Sequence, residues 1–128
     1  MSYYFAKTLD TSFEDAISRA TETLKKYGFG VLTEIRIHEK LKEKLGVDFH
    51  RYTILGACNP AFAHKSLLAE NKIGTMLPCN VIVQEIAPGK IEVAAVNPLE
   101  SMKAITNPQL ETIATQVTEM LRKTVEEL

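Results

Sequence analysis

Two short segments of the chain combine a thiol, a side-chain amide and a proline: Cys58-Asn59-Pro60 and Pro78-Cys79-Asn80. Asn59 is a preferred helix N-cap, and Pro60 suits the first helical position. A sulfur at Cys58 would lie near unsatisfied helix N–H groups, which favour a thiolate. These residue types permit nucleophilic, redox or soft-ligand chemistry. The competing interpretation is that both cysteines are small core hydrophobes.

His64 is the third candidate for this chemistry. With Cys58 as a thiolate nucleophile and Cys79 as the resolving sulfur, His64 would act as the base. The same three residues offer acceptable zinc ligand types but lack the paired C-x2-C spacing of recognisable sites, so no metal is predicted. A disulfide between the cysteines would be transient in a reducing cytoplasm. A histidine satisfied by a backbone carbonyl is the commoner outcome.

Side-chain amides suit the fixed polar positions of a small-ligand pocket, because they both donate and accept hydrogen bonds. Asn59, Asn80 and Asn97 are the candidates in this chain. Helix capping by Asn59 and turn formation by Asn97 are the structural alternatives. Substitution of Asn80 or His64 is expected to weaken ligand binding with little effect on stability.

An alternating segment over residues 29–37 predicts a half-buried strand, with Phe29, Val31, Thr33, Ile35 and Ile37 on the apolar face. Its other face would carry Glu34, Arg36 and His38. A carboxylate and a histidine on one face are the minimum for acid–base chemistry. Such a face is also what any solvated strand shows, so Glu34 is a weaker addition to the site.

Charge and composition exclude several classes of protein. The 128 residues carry 15 Lys plus Arg against 16 Asp plus Glu, which disfavours non-specific nucleic-acid binding. No apolar run reaches the length of a membrane span, and the first residues do not resemble a signal peptide. We therefore expect a cytoplasmic protein with reduced thiols, no nucleic-acid partner and no membrane partner.

The pattern of elements predicts a single domain over residues 1–128. Strands and helices alternate up to Glu70, then two strands flank Ala87-Pro88-Gly89-Lys90, and Asn107-Pro108 opens a last helix in the manner of Asn59-Pro60. We expect an α+β fold, a two-layer sandwich with a mostly antiparallel sheet and helices on one face. The other face must then be polar, ligand-lined or covered by a partner subunit, which predicts a homodimer.

The register of the predicted hairpin decides which way Asn80 points. A two-residue turn would place Ala87 opposite Lys90. The same register would put Asn80 opposite Asn97, Ile82 opposite Ala95 and Ile86 opposite Ile91 on one face.

Four segments of the chain form a distinctive set. They are Gly28-Phe29-Gly30-Val31-Leu32-Thr33-Glu34-Ile35, Leu41 to Gly46, Tyr52 to His64 with its Gly56-Ala57-Cys58-Asn59-Pro60 core, and Ile73 to Val81 with Leu77-Pro78-Cys79-Asn80-Val81. Together they resemble the bacterial and archaeal family known as domain of unknown function 302. The resemblance covers residues 3 to 100. It implies an α+β fold with helices on a curved antiparallel sheet, a dimer, and no established activity. Arg36 stands where many relatives carry Asp, so a ligand or metal role of that position would be in doubt here.

Three hypotheses follow. The leading one is a small-ligand-binding module whose pocket forms where the two Cys-Asn segments meet, with Cys58, Asn59, His64, Cys79 and Asn80 as contacts. The second is a thiol, redox or sulfur-handling enzyme. The third is a purely structural dimeric protein. Neither a cofactor nor a substrate is indicated by the sequence.

Overall fold

The computed structural model describes residues 2–128 and contains five strands and five helices. The strands are β1 (Tyr4–Asp10), β2 (Gly30–Arg36), β3 (Tyr52–Cys58), β4 (Cys79–Ala87) and β5 (Lys90–Val96). The helices are α1 (Phe13–Lys26), α2 (Ile37–Leu45), α3 (Pro60–Ala69), α4 (Pro98–Ser101) and α5 (Pro108–Glu126), with a 3-10 segment over Asn71–Met76.

The five strands form one antiparallel sheet in the order β1-β5-β4-β3-β2. The long helices α1 and α5 pack on one face, and α3 packs beside α5. The expected α+β class with an antiparallel sheet and a helical layer is therefore confirmed. The sheet places β4 at its centre, with two strands on either side.

Asn-Pro pairs start the helices α3 and α5. Asn59 caps α3 by accepting a hydrogen bond from the Phe62 amide, and Asn107 caps α5 in the same way from the amides of Gln109 and Leu110. A proline follows each cap at the first helical position, as the sequence predicts. These caps satisfy amides that the first helical turn leaves without partners.

The core lies between the helical layer and the inward face of the sheet. Alternate residues of the three inner strands point into it, as expected for strands with one buried face. The apolar periodicity of the last segment predicts a core stripe of Leu110, Ile113, Ala114, Val117, Leu121 and Leu128. In the structure Leu110, Ala114, Val117 and Leu121 of α5 are buried, whereas Ile113 and Leu128, which follows the helix, are partly buried. The buried sheet residues are Leu55, Ala57, Val81, Val83, Ile91, Val93 and Ala95, and the helical ones include Ala16, Ala20, Leu24, Val117 and Leu121.

The prediction for residues 29–37 is wrong about the faces of the strand. A register shift between Val31 and Thr33 places Thr33 opposite Gly56, so that Leu32 is an extra residue in the ladder. One extra residue reverses the side-chain alternation beyond it. Glu34 and Arg36 consequently lie on the side of the helices, whereas Thr33 and Ile35 lie on the other side. The strand is an exposed edge rather than a half-buried strand.

The predicted hairpin register is correct only beside the turn. Ala87 pairs with Lys90, but a second shift between Glu85 and Ala87 places Ile82 opposite Ala94 instead of Ala95. Val81 and Val83 therefore face the core. Asn80 and Ile82 occupy the opposite face of the sheet.

Gly56 is the point of closest packing between β2 and β3. A Cβ added to Gly56 would lie 2.2 Å from Thr33 Oγ1 and 2.9 Å from Pro78 Cγ. Both distances are shorter than normal van der Waals contacts. Only glycine allows β2 and the residues before β4 to approach β3 this closely.

We predict that Gly56→Ala destabilises the fold by roughly 1–3 kcal/mol, because the added methyl group overpacks the strand. Gly30→Ala is the matched control, since a Cβ at Gly30 has no neighbour within 4 Å. Chemical denaturation of both variants measures the difference. Equal free energies of unfolding for the two variants would contradict the close packing at Gly56. A partial recovery of the free energy of unfolding when Thr33→Ala is added to Gly56→Ala would support it.

Candidate functional site

A partly open cavity lies where the end of β3 meets the beginning of β4. Ala57 pairs with Cys79 in the β3–β4 ladder, so the two cysteine-containing segments are neighbours in space. Helices α3, α4 and α5 cover the cavity from the other side. The lining residues are Phe29, Ala57, Cys58, Asn59, Phe62, Ala63, Ser66, Leu77, Pro78, Cys79, Pro98, Met102, Leu110, Ile113, Ala114 and Val117.

The cavity is small and apolar. Its volume is about 40 Å³, and none of its lining residues carries a charge. A cavity of this size has room for a few small molecules of the size of water. The chemistry available in it is that of two thiols, one thioether and a small number of amide and hydroxyl groups.

Most of the oxygen and nitrogen groups at the cavity already serve the fold. Asn59 Oδ1 accepts a hydrogen bond of 3.3 Å from the Phe62 amide, so the capping role proposed for Asn59 is observed. Ser66 Oγ donates to the Phe62 carbonyl at 2.7 Å. The two cysteines and the Asn59 Nδ2 group are left with unused chemistry, and both cysteines are free and partly buried.

Cys79 is held in its neutral form. Burial raises the pKa of the Cys79 thiol to about 11, and the nearby Cys58 contributes a smaller rise in the same direction. A thiol is a poor nucleophile unless it is deprotonated. Cys79 therefore offers a soft, uncharged surface at neutral pH.

Three of the predicted site residues lie away from this cavity. His64 is exposed on α3 and is absent from the cavity lining. Asn80 is exposed on the opposite face of the sheet, because it follows Cys79 on the same strand. Glu34 lies on the edge strand, opposite Leu55. The structure brings together Cys58, Asn59 and Cys79, and it separates them from His64, Asn80 and Glu34.

Glu34 lies in a second, polar groove between β2, α1 and α2, where it is joined by Arg36 and His38. Arg51 in this groove bridges Glu14 at 2.7 Å and Glu85 at 3.2 Å. His38 lies in the first turn of α2 and accepts a hydrogen bond of 3.0 Å from the Tyr52 amide through Nδ1. These contacts give His38 and Arg51 structural roles.

Asn97 is a structural residue rather than a pocket residue. It is 2% exposed, its amide donates to the Ser2 carbonyl at 3.1 Å, and its carbonyl accepts from Thr118 Oγ1 at 3.3 Å. It therefore joins the end of β5 to the N-terminal segment and to α5.

The sequence reasoning missed the helical wall of the cavity. Met102 and Leu110 lie far from the cysteines in sequence, and the α4–α5 segment brings them over the strand ends. The apolar stripe of α5 signals burial, but it does not indicate which end of the sheet the helix covers. A periodicity argument therefore could not assign these residues to a site.

Over residues 2–128, no three His, Cys, Asp or Glu side chains are grouped closely enough to hold a metal ion. No helix in the same range is long and apolar enough to cross a membrane.

The fold and the cavity define a class of protein: a two-layer α+β domain with an apolar, thiol-lined cavity between sheet and helices. The sequence matches the family described as domain of unknown function DUF302 over residues 5–128, and the chain belongs to that family. The structure is similar to the crystal structure of an uncharacterised conserved DUF302 protein from Bacillus stearothermophilus. That pair has a TM-score of 0.89 and 30% sequence identity, over 98% of each chain. No curated protein matches the chain.

The raised pKa of Cys79 predicts a loss of stability at alkaline pH. The unfolded thiol ionises near its ordinary value of 9.0, whereas the folded thiol ionises near 11. Between these values the folded state binds more protons, so stability falls as pH rises, by up to roughly 3 kcal/mol. Guanidinium unfolding between about pH 8 and pH 11 measures this loss.

Cys79→Ala is the control for this prediction, because it removes the titrating thiol. The free energy of unfolding of this variant should fall less steeply over the same pH range. In the folded protein at pH 8, Cys79 should also react with iodoacetamide about 100-fold more slowly than a free thiol. Rapid labelling of Cys79 in the folded state would contradict the raised pKa of its thiol.

Proposed function

We propose that the protein binds a small, uncharged ligand in the cavity between the sheet and the helices. The observation that carries this proposal is the convergence of the Cys58-Asn59 and Pro78-Cys79 segments on one apolar cavity. These segments are the parts of the sequence with the most unusual residue types. Cavities with apolar walls and a few polar groups are typical of small-molecule sites.

The walls of the cavity determine the charge of the ligand. A charged ligand would lose its hydration inside the cavity and find no opposite charge among the lining residues. An uncharged apolar or weakly polar ligand does not have this cost. The volume of about 40 Å³ further limits the ligand to a few non-hydrogen atoms in this conformation.

The sulfur atoms determine the chemical preference of the site. Cys58, Cys79 and Met102 all line the cavity, and their sulfurs are more polarisable than carbon or oxygen. The neutral Cys79 thiol can act as a weak hydrogen-bond donor or acceptor. We therefore infer a preference for small polarisable molecules.

A thiol enzyme is the second candidate, because both cysteines line the same cavity. In thiol–disulfide exchange, the Cys58 thiolate would attack a disulfide of the substrate and release one substrate sulfur as a thiolate. Cys79, after losing its proton, would then attack Cys58 in the mixed disulfide, which releases the second substrate sulfur and leaves a Cys58–Cys79 disulfide. The exposed position of His64 weakens the case for a thiol enzyme, since a base must lie within hydrogen-bonding reach of the group that gives up the proton. Alkylation of Cys58 that titrates well below about pH 8.5 would favour this enzyme over the binding module.

Xenon is a suitable probe for the binding proposal, because it is small, uncharged and polarisable. We expect xenon to shift the amide resonances of residues around Ala57, Cys79 and Ala114 in ¹H–¹⁵N spectra. Ala63→Leu should remove these shifts by filling the cavity. Ala61→Leu is the matched control, since Ala61 lies on the same helix but is exposed and outside the cavity.

The outcomes distinguish the proposals. Xenon shifts that persist in Ala61→Leu and disappear in Ala63→Leu support a binding cavity. If xenon causes no shifts in the unmodified protein, the cavity is closed to ligands, and the two cysteine segments have only a structural role.

A further inference from the structure

The sheet face opposite the helices carries a groove with an apolar floor. The groove has a volume of about 380 Å³, which lies within the range of small-molecule sites. Its floor contains Ile82 on β4 and Ala94 on β5, which pair in the ladder. The floor is low at Ala94, because the neighbouring residue on β1 is also an alanine, Ala6. An aromatic ring can therefore lie against the sheet at this point.

Tyrosines border the groove at two opposite corners. Tyr3 and Tyr4 lie at the β1 corner, where their rings meet edge to face with centroids 4.9 Å apart. Tyr52 lies at the β3 corner, beside the rings of Phe49 and His50. Tyr3 is 69% exposed and Tyr4 is 44% exposed, so neither ring belongs to the core. Aromatic rings beside an apolar floor are suited to hold another aromatic ring through edge-to-face or offset contacts.

Asn80 provides an unused amide at one end of the groove. In the Pro78-Cys79-Asn80 segment, Cys79 lines the cavity and Asn80 lines the groove. Asn80 is exposed, and no hydrogen bond within residues 2–128 uses its side chain. A side-chain amide both donates and accepts hydrogen bonds, so it suits an N–H or carbonyl group of a ligand. The one residue of this segment that the cavity leaves without a partner therefore faces a second possible site.

Glu92 provides a carboxylate at the other end of the groove, and a chain of hydrogen bonds orients it. Gln84 Nε2 donates to Glu92 Oε1 at 2.9 Å, and Gln84 Oε1 lies 2.9 Å from His50 Nε2. Because a carboxylate only accepts, the Gln84 amide nitrogen must face Glu92 and its oxygen must accept from His50. Within residues 2–128, Glu92 Oε2 has no hydrogen-bond or salt-bridge partner. This oxygen is therefore free to bind a cation.

The spacing of these two polar ends defines the shape and charge of a ligand. Asn80 and Gln84 are four residues apart on β4, and Gln84 pairs with Glu92, so the Cα atoms of Asn80 and Glu92 lie about 14 Å apart. A molecule that joins the two ends must cross the apolar floor at Ile82 and Ala94. Its middle is therefore flat and apolar, and its end at Glu92 carries a positive charge. The nearby tyrosine rings add to the attraction for a cation.

We propose that the open sheet face is a second binding site, which takes a small aromatic amine. The aromatic ring lies over Ala94 between the tyrosine corners, a polar group of the ring system meets Asn80, and the protonated amine meets Glu92. Anions are disfavoured, because Glu92 is the one charged residue among the described residues that line the groove. The site is independent of the proposed cavity ligand, since the sheet separates the two.

Tryptamine is the probe for this site, and indole-3-propionate, which carries the same ring, is the matched anion. The chain contains no tryptophan, so the anisotropy of indole fluorescence reports the probe alone. We expect tryptamine to bind saturably with a dissociation constant of roughly 0.1–1 mM. Indole-3-propionate should bind about 10-fold more weakly or not at all, because Glu92 repels its carboxylate.

Glu92→Gln tests the charge of the site. Glutamine keeps an acceptor for the Gln84 amide but removes the carboxylate, so tryptamine should bind about 5-fold more weakly. The preference for tryptamine over indole-3-propionate should disappear at the same time. Glu22→Gln is the matched control, since it removes the same charge from an exposed position on α1, in the helical layer.

Ala94→Leu tests the place of the ring. A leucine on the floor should clash with the bound ring and weaken binding of both indoles by about 10-fold or more. Ala61→Leu is the matched control, because Ala61 is exposed on α3 and lies outside the groove. Circular dichroism and thermal unfolding check that each variant folds.

The site is supported if tryptamine binds saturably, both groove variants weaken the binding and neither control does. Absence of binding, equal affinity for the two indoles, or an affinity unchanged in either groove variant overturns it. A dimer that excludes tryptamine and dissociates in Ile82→Glu, measured by sedimentation velocity, would assign the face to a second copy and also overturn the proposal. Xenon shifts in the cavity should be the same with and without saturating tryptamine, so the two binding proposals can fail separately.

Discussion

The antiparallel pairing of β3 with β4 is the constraint on which the rest of the structure depends. Because Ala57 lies opposite Cys79, the two cysteine segments meet at one end of the sheet. The same pairing directs Cys79 into the interior and Asn80 to the other face. Two adjacent residues of a single motif therefore serve different surfaces. The Pro78-Cys79-Asn80 segment is consequently a junction of two surfaces rather than one site.

Much of the fold could be predicted from local signals. Asn-Pro pairs mark the starts of α3 and α5, and the apolar periodicity of α5 identifies its buried stripe. These signals work because helix capping and amphipathic burial are decided by residues close in sequence. The general place of the cavity could be predicted too, since Cys58 and Cys79 stand at strand ends that an antiparallel sheet can bring together.

The faces of β2 and of the β4–β5 hairpin could not be predicted, for a common physical reason. Each contains an irregularity, at Leu32 in one case and between Glu85 and Ala87 in the other. An extra residue in one strand is accommodated by the partner strand, so its position depends on contacts that are distant in sequence. At Gly56, the close approach of Thr33 and Pro78 shows such a contact. An alternation pattern read from the sequence alone assigns Glu34 and Ile35 to the wrong sides.

The distribution of charge separates the residues that maintain the fold from those available for binding. Arg51 is held between Glu14 and Glu85, and this pairing raises the pKa of its guanidinium further. The charged groove at the β2 edge is thus largely neutralised by its own contacts. The cavity and the open sheet face have the opposite character, because both are mostly apolar and Glu92 on the sheet face is the one charged residue among those that line them. The free energy that either surface offers on burial therefore comes mainly from the removal of apolar surface from water rather than from charge.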